Sequence, residues 1–376
     1  MLELQKFILN NVDWREKLAE APYFITIKED DDLAMFCYNL IKGSDFNLPI
    51  VRECRGIILE KGTWNVVCRA FDKFGNYGED YVPNIDWEYS AMVTEKIDGS
   101  LIKVFNYKNK WRIATNNSIN AFDCKIEEAR YSGSFGELFV ETFEKHYGSF
   151  DDWTSDMPYY TYMFELVSPY TQVVIPYAES DIFYLGYRSN ATGIERGFFE
   201  KDYGFKTPKI YPLTSLEAVQ KAAAALPYTK EGYVVVDKFY NRCKIKSPEY
   251  VKAHYLRNNN QISKSRLIDI INSGEEAEFL IYCPEYKEII EKMTAIRRDY
   301  KNYLENVAFA IKSFDYVENK TKKEFVFWLK ERDYDNFTYQ FLLYWFENQD
   351  LTFEDWAKGW TMSRWLKFYK EMEDKK

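Results

Sequence analysis

Up to Ser247, apolar and polar positions alternate in short runs, and beyond it they recur at intervals of three and four. Alternation marks strands buried on one face, and the longer interval marks amphipathic helices. The chain opens with an amphipathic helix to about Ala19, then a strand at Tyr23 to Ile27 and an apolar segment at Met35 to Ile41. Strands at Cys54 to Glu60 and Asn65 to Phe71 flank the turn Lys61-Gly62, and residues 73–79 form a glycine-bearing loop. Ala91-Met92-Val93 leads to Lys96. Asp98-Gly99 then carries the strongest short hairpin signal, so the strand ending at Lys96 is expected to double back into Leu101 to Tyr107. Lys110 to Thr115 follows across a lysine/asparagine turn. Helical spacing spans Glu127 to Glu144, broken by Gly133 and Gly136. Tyr159 to Val167, Gln172 to Ile175 and Ile182 to Arg188 read as strands, and Leu216 to Ala225 as a helix. Gly232 to Asp237 and Arg242 to Lys246 form a last strand pair. The pattern is α+β with mostly antiparallel pairing.

Strand signals stop at Ser247, a good N-cap followed by Pro248 at the first helical position. Ser273-x-x-Glu276, Thr321-x-x-Glu324 and Thr352-x-x-Asp355 look like capping-box helix starts. Met293, Ile296, Tyr300, Leu304, Val307 and Ile311 predict one long amphipathic helix over about Pro284 to Phe314. Trp328, Trp345, Trp356, Trp360 and Trp365 crowd the C-terminal end. The expected division is a mixed domain over 1–254 and a small all-helical domain over 255–376.

Composition narrows the chemistry by exclusion. The net charge of −9 means that bulk charge announces no nucleic-acid partner, and a phosphate-binding surface must be a local groove. Six cysteines with no C-x-x-C pair, and only two histidines, leave no zinc-ligand spacing. Reduced thiols in a cytoplasm are the natural reading, and neither a signal peptide nor a membrane-spanning stretch is legible. Triads built on a histidine base are disfavoured by the same scarcity. Lysines, carboxylates and a bound metal remain as actors.

Several strands carry charge inside apolar runs: Arg55 beside Gly56, Glu165 within Tyr162 to Val167, Glu231 before Tyr233, and Lys244 and Lys246 on one strand face. Taken singly each has a plainer explanation, and Lys96 alone would pass for a surface lysine near a turn. A buried strand face tolerates charge only when it is paired or liganded. Arg55, Lys73, Lys96, Lys244 and Lys246 gathered opposite Glu165 and Glu231 would make a polyphosphate-and-metal site. There a lysine can act as nucleophile, because neighbouring cations and desolvation free its lone pair.

In their order, Glu95-Lys96-Ile97-Asp98-Gly99-Ser100, Phe164-Glu165-Leu166-Val167-Ser168-Pro169, Glu231-Gly232-Tyr233-Val234 and Lys244-Ile245-Lys246-Ser247 resemble the motifs of the covalent nucleotidyltransferases. That superfamily comprises DNA ligases, RNA ligases and mRNA capping enzymes. Glu53-Cys54-Arg55-Gly56-Ile57 and Lys73-Phe74 are most similar to the T-even-phage type of ATP-dependent RNA ligase, the tRNA-repair ligase. The resemblance covers residues 50–255 and is only architectural beyond them.

It implies an adenylation domain that uses ATP and magnesium or manganese. Lys96 would carry AMP covalently, with Glu165 on the ribose, Glu231 on the metal, and Lys244 and Lys246 on the phosphates. Arg55 and Lys73 would add phosphate contacts, and Asp98, Gly99 and Ser100 would shape the nucleophile loop. Tyr250 matches a tyrosine after the last motif, and Glu275-Glu276 aligns with an acidic pair that would help hold metal. One departure stands out. Thr115-Asn116-Asn117-Ser118 lies where relatives carry a basic residue, and Lys103 is a candidate substitute.

DNA ligases and capping enzymes follow the last lysine motif with a β-barrel, whereas here a capped helix begins, which favours RNA ligase. The implied partners are RNA bearing 5′-phosphate and 3′-hydroxyl ends, cleaved tRNA among them, and a polynucleotide kinase/phosphatase of the same pathway. No membrane is implied and a monomer suffices; a phage-encoded chain would work in the host cytoplasm. The helical tail, with Lys320, Lys322 and Lys323, could engage structured RNA. A DNA ligase, a capping guanylyltransferase and a non-catalytic RNA-binding protein on the same fold stay open as alternatives.

Overall fold

Three antiparallel sheets carry the first part of the chain in the computed structural model, which describes residues 1–88, 91–153, 159–256, 262–313 and 320–374. The first holds β1 (Ile25–Glu29), β2 (Leu33–Tyr38), β3 (Arg55–Glu60) and β4 (Val66–Cys68), in that order. Alternation gives it two apolar faces. Phe36, Ile57 and Leu59 pack under the opening helices through Leu4, Ile8, Trp14 and Leu18. Met35, Ile58 and Cys68 point the other way, against Phe105 and Ala114.

Lys96 ends β5 (Met92–Lys96), and β6 (Ser100–Tyr107) begins four residues later, but the two do not form the expected hairpin. β6 belongs to the second sheet with β7 (Lys110–Ala114), β8 (Tyr160–Val167), β9 (Asp181–Ser189) and β10 (Glu195–Gly197), ordered β10-β9-β8-β6-β7. β5 belongs to a third sheet with β11 (Ile210–Tyr211), β12 (Gly232–Val236) and β13 (Arg242–Lys246), ordered β11-β5-β12-β13. Asp98-Gly99 is therefore a crossing between sheets. Gly99 is needed for closeness, not for a turn: a Cβ there would lie 2.4 Å from the Leu166 carbonyl oxygen. The true hairpin is the lysine/asparagine turn, where Lys108 and Asn109 adopt φ of 53° and 59°, as a type I′ turn requires.

The outer face of the second sheet (Ile102, Val104, Tyr162, Phe164, Leu166) is covered by the helix Phe135–Tyr147 through Leu138, Phe139 and Phe143. That helix starts later than its spacing suggests, because Ser134 caps it in a box with Glu137. Gln172 to Ile175 is a loop, not a strand. The third sheet rests on the helix Leu216–Ala224 through Val93, Tyr233, Val235, Cys243 and Ile245.

The described residues divide into two compact units, Met1–Asn260 and Gln261–Lys376, and the helix Pro248–Leu256 stays in the first. The second unit contains only helices among its described residues, the longest being Lys287–Ser313; the expected end at Phe314 lies outside the described residues. Thr321 and Thr352 cap helices as expected. Ser273 does not: it is the last residue of Lys264–Ser273, which stops at Gly274 in the left-handed conformation, and Glu275 precedes the next helix without a side-chain cap. Trp345, Trp356, Trp360 and Trp365 are buried with Phe337, Phe341, Phe353 and Phe368.

Because the β5–β6 crossing leaves no room beside Leu166, Gly99→Ala is expected to destabilise the chain by about 2–3 kcal/mol, the scale of overpacking a tight site. Urea unfolding of the purified variant, read by tryptophan fluorescence, checks this.

Candidate active site

The third sheet sorts its side chains by parity. Lys96 lies opposite Gly232, which lies opposite Lys246, and Thr94 opposite Val234 and Lys244 in the next row on that face. Side chains two apart share a face, so Thr94, Lys96, Val234, Val236, Arg242 and Lys244 line one cavity while Val93, Tyr233, Val235, Cys243 and Ile245 enter the core. Arg242 was not singled out from the sequence, although the alternation that pairs Lys244 with Lys246 extends to it. Gly232, between two lysines, has no side chain to keep them apart.

Both lysines reach the same carboxylate. Lys96 Nζ lies 2.7 Å from Glu231 Oε2, and Lys246 Nζ 3.6 Å from Glu231 Oε1. Glu231 is buried at 4% exposure, so its charge is compensated by side chains and not by water. Arg55, Lys73, Glu95, Lys96, Ile97, Glu165 and Lys244 border the cavity, and Glu231 and Lys246 stand behind Lys96. The Glu95 carboxylate turns away to Lys230, 2.5 Å distant.

Glu165 reaches the cavity from β8, whose residues pair with β6. Burial pushes its carboxyl up to about 7, with Lys96 and Arg55 pulling it down and Glu231 and Asp98 raising it. Aromatic walls that the sequence did not announce complete the space: Tyr38, Phe71, Phe74, Phe198 and Phe199. Arg55 lies over Phe74, 5.5 Å from the ring centroid, and its Nη1 is buried with no hydrogen-bond partner. Lys73 sits over Phe46 and Tyr38 at 5.0 and 5.6 Å. A cavity with aromatic walls, a buried guanidinium donor left without an acceptor and several ammonium groups fits a planar base joined to phosphates.

Asp98 is buried at the sheet crossing. It accepts hydrogen bonds from Tyr250 Oη at 2.7 Å and from the amides of Val174 and Ile175 at 3.0 and 2.8 Å. Gly99 packs on Leu166, and Ser100 begins β6 opposite that residue.

The basic position missing at Asn116 is not replaced by Lys103. Lys103 is fully buried between the first two sheets, outside the cavity wall, and donates a short hydrogen bond to the Gly56 carbonyl. Burial lowers its pKa, opposed by the nearby thiols of Cys68 and Cys37. Gly56 adopts φ +71°, and a Cβ there would meet the Asn116 carbonyl at 2.3 Å. Asn116 and Lys103 thus hold the backbone beside Arg55 and do not face the cavity themselves.

Glu275 and Glu276 belong to the second unit, where burial raises the Glu276 carboxyl against the pull of Arg297. No cluster of three or more His, Cys, Asp or Glu able to hold a metal occurs among the described residues. A metal near Lys96 would therefore need phosphate oxygens to complete its shell. No helix among the described residues is long and apolar enough to cross a membrane.

Residues 53–250 match the model of a family described as RNA ligase. The chain is 31% identical over 295 residues to the "Putative bifunctional polynucleotide kinase/RNA ligase" of Autographa californica nuclear polyhedrosis virus, covering 73% of this chain and 40% of that protein. It is 28% identical over 363 residues to the "RNA ligase" of Rhodothermus phage RM378, covering 80% of each. It thus spans less than half of the first relative's length and most of the second's. Among solved structures, an archaeal ATP-dependent RNA ligase aligns at 14% identity over 80% of this chain and 83% of its own, with a TM-score of 0.43.

The Glu165 carboxyl gives a stability signature. Between the ordinary value of 4.5 and about 7, the folded chain keeps a proton that the unfolded chain has released. Stability contributed by this group therefore falls as pH rises through that window and is level above it. Glu165→Gln removes the slope. Relative to wild type, the variant is expected to gain on the order of 1–2 kcal/mol between about pH 5 and pH 8, allowing for partial solvent access. Denaturant titrations at both pH values measure it.

Proposed function

The chain belongs to the RNA ligase family, and we propose that it joins RNA ends at the expense of ATP, through AMP bound covalently to Lys96. The observation that carries this reading is the convergence of Lys96, Arg55, Lys73, Glu165 and Lys244 on one aromatic-walled cavity, with Glu231 and Lys246 behind the lysine. In the first step Lys96 Nζ passes a proton to the Glu231 carboxylate beside it and attacks the α-phosphorus; the N–P bond forms and the bond to the oxygen bridging to the β-phosphate breaks, releasing pyrophosphate. An oxygen of the RNA 5′-phosphate next displaces Nζ from that phosphorus. The 3′-hydroxyl of the other end then attacks the 5′-phosphate, AMP leaves, and the strand is sealed.

Each side chain has work that its position suits. Glu231 holds Nζ at the cavity wall through their 2.7 Å ion pair. Arg55 offers its unmatched Nη1 to a phosphate oxygen, and Lys73 and Lys244 stabilise charge that develops on phosphorus. Glu165 receives the ribose hydroxyls, and Tyr38, Phe71 and Phe74 flank the base. Asp98, Gly99 and Ser100 fix the loop after the nucleophile. A divalent metal, magnesium or manganese, neutralises phosphate charge when bound, with Glu231 as the carboxylate beside Lys96.

The adenylation chemistry is assigned to the first unit, and specificity for structured RNA, cleaved tRNA included, to the helical one. A kinase/phosphatase that prepares the ends is the companion activity, and the kinase/ligase name of the baculovirus relative supports that pairing. The six free cysteines suit a reducing cytoplasm, the host's for a phage-encoded chain.

Incubation with α-labelled ATP and magnesium should leave label on the denatured wild-type protein, chased off by pyrophosphate, and no label on Lys96→Ala. Absence of label on wild type would return the chain to the non-catalytic RNA binders. Labelled GTP in place of ATP tests a capping activity, and nicked DNA against RNA tests which strand is sealed.

A further inference from the structure

A second groove opens beside the Lys96 cavity and shares Lys73, Phe74 and Arg242 with it. The two carboxylates on its walls are already paired: Asp72 with Arg188 at 3.2 Å, and Glu195 with Arg242 at 2.5 Å. Arg52, Lys73 and Arg196 add positive charge that no carboxylate of the groove matches. Arg52 donates to the carbonyls of Phe46 and Asn47, and Arg196 pairs with Glu200 at 2.8 Å while its side chain stays half exposed. On a chain of net charge −9, this is a local basic strip running into the nucleotide cavity.

The rim of the groove carries Phe239, at the tip of the β12–β13 hairpin and 65% exposed. The tip is rigid. Asp237 Oδ1 accepts the amides of Phe239 and Asn241, both at 2.9 Å, and its Oδ2 accepts from Asn241 Nδ2 at 2.9 Å. Tyr240 is held at φ 63°, and its hydroxyl accepts the Gly197 amide at 3.1 Å. The Lys238 ammonium lies 4.8 Å from the Phe239 ring centroid. A lone exposed phenylalanine needs no explanation. One fixed on a pinned hairpin at the edge of a basic groove is placed as a platform for an unpaired base.

We propose that this groove receives the unpaired end of an RNA strand, with one base stacked on Phe239 and phosphates against Arg52 and Arg196, so that the terminus runs toward Lys96. The proposal rests on the RNA ligase reading and adds the track by which the strand arrives. Both grooves lie in the first unit, so the track does not depend on the helical one.

The test uses the full chain with Phe239→Ala, Phe239→Trp and Arg196→Glu, none of which lines the Lys96 cavity. Self-labelling by α-labelled ATP and binding of a 5′-phosphorylated single-stranded RNA, by fluorescence anisotropy, are measured side by side. Phe239→Ala is expected to label like wild type and to bind RNA about tenfold more weakly, the loss of roughly one base stack. Phe239→Trp should restore binding, and Arg196→Glu should weaken it and flatten its salt dependence. RNA affinity of Phe239→Ala equal to wild type overturns the groove. Failure of wild type to label, with the RNA affinities still ordered as expected, overturns the ligase reading and leaves the groove standing.

Discussion

The arrangement around Lys96 depends on one buried carboxylate. Asp98 sits where the chain leaves one sheet and enters another, at 5% exposure, and three donors converge on it. They come from Tyr250 on the last helix of the first unit and from the backbone of the loop around Val174, segments distant in sequence that meet only here. A buried carboxylate is tolerable when its lone pairs are filled, so the crossing, the loop and the helix are each a condition of the others. Lys96 and Glu165, on opposite sides of that crossing, inherit their spacing from it.

Charge in the cavity is arranged in tiers. Behind the lysine, Glu231 is shared between two ammonium groups and is satisfied. At the wall, Arg55 lies over Phe74 with its Nη1 lacking a hydrogen-bond partner, and the Lys73 ammonium lies over Tyr38 and Phe46. The inner tier holds Lys96 in place, and the outer one has hydrogen-bonding capacity directed at what enters. A polyanion suits such an interior.

The cavity-lining lysines and carboxylates were legible because strand alternation is local: a charge inside an apolar run shows its face without any knowledge of the partner strand. Arg242 could have been read the same way. The aromatic walls could not, since Tyr38, Phe71 and Phe198 come from three separate segments and look like the many core aromatics around them. The hairpin misreading at Asp98-Gly99 has a different cause. Sequence signals a glycine but not whether it supplies a left-handed φ or merely absence of bulk, and only the Leu166 carbonyl decides. Ser273 misled for a comparable reason: the Gly274 that ends its helix competes with the capping pattern, and a stop signal one residue later outweighs a start signal. Gln172 to Ile175 has strand composition, yet the amides of Val174 and Ile175 are taken by the Asp98 side chain, which no periodicity reveals.

Lys103 has a consequence for how such a protein can change. Stripping water from an ammonium group without a carboxylate beside it costs several kcal/mol, and here the return is one hydrogen bond that holds the peptide next to Arg55. Packing alone would be better served by methionine, an unbranched side chain one atom shorter and without charge. Position 103 therefore sets robustness against precision. Drift toward an apolar residue would toughen the sandwich of the first two sheets while slackening the guanidinium that one of them presents, so stability and the placement of Arg55 cannot both be maximised at this site.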